Sequence, residues 1–85
     1  MKYLLIAIRQ RQGDYENESI STATTNDDTD LEELSLQFAR DERGSSKEDW
    51  DEGQGGYWFD GTGLVYPAEI REMPEDDYLI LAKYL

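Results

Sequence analysis

The chain has 85 residues, room for a single domain, and its 20 acidic against 8 basic side chains leave a formal net charge of −12. It holds no Cys and no His, which excludes a disulfide framework, a thiolate nucleophile, a His-based triad and zinc held by either residue. A surface this negative is repelled by nucleic acid and by anionic lipid.

Aliphatic and aromatic residues make up 38 % of the chain, 12 % being aromatic, and they fall in clusters, so a folded core is expected. The apolar run Tyr3 to Ile8 is followed at once by Arg9 and Arg11 and has no small-residue cleavage site. It is too short for a bilayer span, which takes about 20 apolar residues. Cytoplasmic is therefore the expected location. Residues 2–11 read as a buried central strand, with Leu4, Ile6 and Ile8 on one face and Tyr3, Leu5 and Ala7 on the other. Gln12-Gly13-Asp14 signals a turn. Residues 15–25, rich in Thr, Ser and Ile, suit an antiparallel partner strand with a weakly apolar pattern.

Asn26 to Asp30 then opens a helix, with Thr29 and Glu32 at capping-box spacing. Leu31, Leu34 and Phe38 form its apolar stripe, Ala39 lies at the margin, Leu36 lies off it, and Gly44 stops the helix. Residues 44–56 carry four of the seven glycines and no periodicity, which predicts a long acidic loop around Trp50. Tyr57-Trp58-Phe59 and the run from Leu64, joined by Asp60-Gly61-Thr62-Gly63, predict a hairpin. On its second arm Leu64, Tyr66, Ala68 and Ile70 are expected to point inward and Val65, Glu69 and Arg71 outward. Pro67 marks an edge strand or a bulge. Pro74 at the first position, followed by Glu75, Asp76 and Asp77, starts a second helix whose face is Tyr78, Leu81, Ala82 and Leu85. The expected fold is α+β: a two-layer sandwich in the order β-β-α-β-β-α, a mostly antiparallel sheet with two helices on one face.

No motif for catalysis emerges. With 20 carboxylates some pair meets any spacing that acid–base chemistry needs, so such a match says nothing, and the chain is too small to surround a sugar. Asp27-Asp28-Thr29-Asp30 and Asp49-Trp50-Asp51-Glu52-Gly53 offer oxygen ligands, yet neither follows the EF-hand spacing, so no metal and no other cofactor is expected. The glycine pairs lack the helix and Lys of a phosphate cradle. Trp50, Tyr57, Trp58 and Phe59 sit among acids, whereas stacking platforms for single strands lie in basic grooves.

Charge distribution is the informative feature. Residues 1–26 are neutral, residues 27–52 carry −8 and residues 53–85 carry −4. A one-sided acidic face attracts basic surfaces, above all nucleic-acid-binding grooves. Helical carboxylates three or four positions apart stand about 5–6 Å from each other, close to the scale of successive phosphates. In size, acidity, lack of Cys and α+β plan, the chain resembles the DNA-mimic inhibitors of phages and mobile elements, the anti-restriction and anti-CRISPR proteins. The resemblance lies in whole-chain character, and no functional residue is carried over from it. It implies a non-enzymatic protein that binds a nuclease or another DNA-binding protein and not nucleic acid itself. The expected contact residues are Asp27, Asp28, Asp30, Glu32, Glu33, Glu48, Asp49, Trp50, Asp51 and Glu52. The alternative is a small self-associating or adaptor module, a homodimer among its forms, that uses Trp50, Trp58 and a strand edge.

Overall fold

The computed structural model describes residues 1–85. Its elements run β1 (Lys2–Gln12), β2 (Tyr15–Thr25), α1 (Leu31–Arg43), a short 3-10 turn (Lys47–Asp49), β3 (Trp50–Asp51), β4 (Gly56–Phe59), β5 (Gly63–Met73) and α2 (Glu75–Tyr84). The five strands form one antiparallel sheet in the order β2-β1-β5-β4-β3. The α+β class follows the sequence reading, with one strand more than it anticipates.

β1 lies between β2 and β5, which explains its near-continuous apolar run: Leu4 to Ile8 are all buried. Leu4, Ile6 and Ile8 meet Val65, Tyr57, Phe59 and Ala39 in the core under α1. Each large side chain removed from water there contributes about 1.5–3 kcal/mol before chain entropy is counted. Ala39, expected at the margin of the helical stripe, is its centre and fully buried, with Ser35 one turn before it. Small residues at these two positions let α1 lie close to the sheet, while Leu31, Leu34 and Phe38 flank them half-buried.

The cap of α1 is Asp30, not Thr29. The Asp30 carboxylate accepts from the backbone N–H groups of Glu32 and Glu33, and Thr29 instead shares a hydroxyl hydrogen bond with Thr25. Gly44 ends the helix in the left-handed region at φ +69°, its N–H bonded to the Arg40 carbonyl.

β5 is a central strand, not an edge. A bulge opposite Ala7 and Ile8 absorbs Pro67 and moves the side-chain alternation by one residue. The inward set therefore differs from the expected one. Val65 and Ile70 join the core under α1, while Leu64 is buried on the opposite face and Ala68 is exposed.

Residues 44–56 do not form a plain loop. Ser46 and Asp49 cap the 3-10 turn reciprocally, and Trp50 and Asp51 add a short strand along β4. Gly56 is required there, since a Cβ would stand 2.9 Å from the Val65 carbonyl oxygen.

The two helices do not share a face. α2 packs Tyr78 on Tyr3, ring centroids 5.0 Å apart, and alternation sets Tyr3 on the face opposite Leu4 and Ile6. Pro74 is the cap of α2 and not its first helical residue. Of its expected inner face only Tyr78 and Leu81 are half-buried, with Ala82 and Leu85 exposed. Neither helix is long and apolar enough to cross a membrane.

Candidate partner-binding surface

The acidic segment starts where the chain leaves β2. Asp27 is 2.9 Å from the N-terminal ammonium, which donates to it and holds its carboxyl below the usual range. Asp30 is occupied by capping, while Asp28 and Glu32 are exposed and outside ion pairs. Glu33 stands 3.7 Å from Arg40. Farther along, Asp41 continues the row begun by Glu33, two turns on, and the Glu42 carboxylate accepts from Gln10 and Ser19. Asp41 is absent from the expected contact set, although its spacing of i+8 from Glu33 was legible.

Two of the three cations of this segment lie over aromatic rings. Arg40 donates to the Tyr57 hydroxyl at 2.8 Å with its guanidinium over that ring, and only 13 % of its side chain is exposed. Arg43 donates to the buried Gln10 and stacks 4.8 Å over Phe59. Of the three basic residues between 27 and 52, only Lys47 is left without such a partner.

The 3-10 turn and β3 hold the remaining expected residues. The polar groups at the start of the turn, the nearby Ser46 hydroxyl first and then its own backbone N–H, hold the Glu48 carboxyl below its ordinary value. Trp50 meets Tyr57 edge-on with centroids 5.0 Å apart, and its indole N–H donates to Glu52. Leu36, Arg40, Lys47 and Trp50 border a shallow groove with Glu33 and Tyr57. Asp51, the next residue along the strand, projects to the other face, where it accepts from the Trp58 indole at 3.0 Å and the Gln54 amide at 3.1 Å.

Glu48 and Asp49 stay in the 3-10 turn and Glu52 accepts from the Trp50 indole, while the other seven expected residues divide into three places. Asp27, Asp28, Asp30 and Glu32 gather at the first turn of α1, Glu33 and Trp50 border the groove, and Asp51 belongs to the open sheet face. Strand alternation separates Trp50 from Asp51, and a 13-residue helix, about 20 Å long, sets its two ends apart. No three acidic side chains are placed to hold a metal ion together. No protein-family model, curated protein or solved structure matches the chain.

Proposed function

We propose that this is a non-enzymatic binding protein whose acidic α1 side engages a basic protein surface of the kind that holds nucleic acid, acting as an inhibitor of the DNA-mimic type. One observation carries the reading. Arg40 and Arg43 are held over aromatic rings while Asp28, Glu32, Glu33 and Asp41 stay at the surface, so residues 27–52 present more free carboxylates than free cations. Fifteen of the twenty acidic side chains have no cationic partner within an ion-pair distance. Exposed carboxylates in excess of cations compete with phosphates for Lys and Arg.

The test is capture from bacterial lysate followed by measured binding to the recovered DNA-binding protein. Duplex DNA is expected to compete, and affinity to fall steeply with salt. Asp28→Lys, Glu32→Lys and Asp41→Lys are each expected to weaken binding by about fivefold or more. These residues are preferable to Asp49 and Asp51, whose carboxylates hold the local chain together. Affinity unchanged in all three, or indifferent to salt, removes the acidic surface from the interface.

A second reading, an adaptor that takes a protein partner through aromatic residues, draws support from Trp50 beside Leu36 and from Trp58, 37 % exposed. It predicts binding insensitive to salt and lost in Trp50→Ala.

A further inference from the structure

The sheet has two unequal edges. β3 has only two residues, whereas β2 exposes an edge of eleven, Tyr15 to Thr25, paired with β1 along its whole length without a bulge. Long free edges in monomeric proteins are usually interrupted by Pro, Lys, bulges or inward charges. β2 contains neither Pro nor Lys nor Gly, and residues 19–25 carry no charge.

The direction of its backbone groups follows from the hairpin. Gly13 at φ +62° and Asp14 make a two-residue turn between Gln12 and Tyr15, and such a turn is closed by a pair that exchanges both hydrogen bonds. Counting by twos from Tyr15, the odd-numbered residues of β2 bond to β1. Glu16, Glu18, Ile20, Thr22 and Thr24 direct their N–H and C=O groups to the free edge.

That edge is complementary to itself. Ile20, 47 % exposed, is the middle residue of the eleven. A two-fold axis at Ile20 sets Ile20 opposite its own copy, Glu18 opposite Thr22 and Glu16 opposite Thr24. Every outward-directed residue then faces another, all eleven positions overlap, and no carboxylate meets a carboxylate. Any other register shortens the overlap, and an axis at Glu18 brings two carboxylates together. We infer that β2 pairs antiparallel with β2 of a second copy about Ile20, joining two five-stranded sheets into one of ten. The contact is isologous and closed, which leaves only the two-residue β3 edges free.

The inference is independent of the acidic-surface reading, and salt separates them. Two bodies of like charge −12 repel, so self-pairing tightens with added salt, whereas binding to a basic groove weakens. Sedimentation equilibrium of the full chain over rising concentration is expected to show mass growing from 9.8 kDa to twice that value. The register makes a sharper demand at Thr22, which stands opposite Glu18 twice in the dimer. Thr22→Lys is expected to tighten dimerisation by about tenfold and Thr22→Glu to weaken it by about tenfold. The same charge changes at the exposed Gln37 on α1 control for net charge, and far-UV circular dichroism checks that each variant folds. A mass of 9.8 kDa up to roughly 1 mM, for the chain and for Thr22→Lys alike, overturns the inference. So does a dimer whose affinity responds to Thr22 no more than to Gln37.

Discussion

The Asp51 carboxylate accepts from the Trp58 indole and from the Gln54 amide, and these bonds hold its pKa below the ordinary carboxylate value. A depressed folded pKa stabilises the fold above the unfolded value, and the contribution is lost as pH falls through the folded one. The Trp58 indole N–H resonance is therefore expected to titrate with a midpoint below about 3.9 in the wild-type chain. In Asp51→Asn that transition should vanish. A midpoint at or above the ordinary value contradicts the assigned bond. Asp51 also shows where reading residue types stops: in the sequence it is one of four acids flanking Trp50, alike in charge and exposure. Only its partner, seven positions away, shows it to be the carboxylate that ties β3 to β4.

Among the elements, α1 and α2 present a contrast that composition conceals. The segment Tyr78 to Leu85 is more apolar than α1, yet α2 leaves Leu79, Ile80, Tyr84 and Leu85 between 57 % and 77 % exposed. α1 is amphipathic and acidic, and it covers the core. The difference lies in the two small residues Ser35 and Ala39, which allow close approach of helix to sheet. Ala39→Leu is expected to cost about 1–3 kcal/mol in denaturant unfolding, because the added methylenes have no space over Ile6 and Val65. A loss below about 0.5 kcal/mol means that α1 shifts to admit them, and that the close seat is not required. The helix itself, its first turn of acids and its Gly44 stop were legible from spacing and capping chemistry. The rank of Ala39 over Leu34 was not, since periodicity gives the direction of a stripe and not the distance to what it meets. β3 was hidden for a related reason: two residues have no period, and their strand character comes from Tyr57 alongside.

At the scale of the molecule, the −12 charge opposes compaction. Repulsion among exposed carboxylates is screened as the Debye length falls from about 30 Å at 0.01 M salt to about 3 Å at 1 M. Thermal unfolding followed by circular dichroism should move upward by several degrees between 0.01 M and 0.5 M sodium chloride; about 1 kcal/mol shifts a domain of this size by 4–8 °C. A midpoint that stays level or drops indicates that the ion pairs Asp27–ammonium, Arg9–Glu18 and Arg40–Glu33 outweigh the repulsion they are set within.

By itself the sequence determined the class of the fold, the buried β1, the hairpin turns, the Gly44 stop of α1 and the uneven charge along the chain. Each of these depends on neighbours within one or two turns of helix or across one tight turn. The tertiary structure decided which carboxylates are anchors and which are free, that α2 lies across the sheet from α1, and that β2 rather than β5 is the open edge. Those outcomes depend on strand order and on the bulge at Pro67, where long-range pairing overrides local alternation. A period of two is reversed by one inserted residue, and the reversal is invisible until the partner strand is in place.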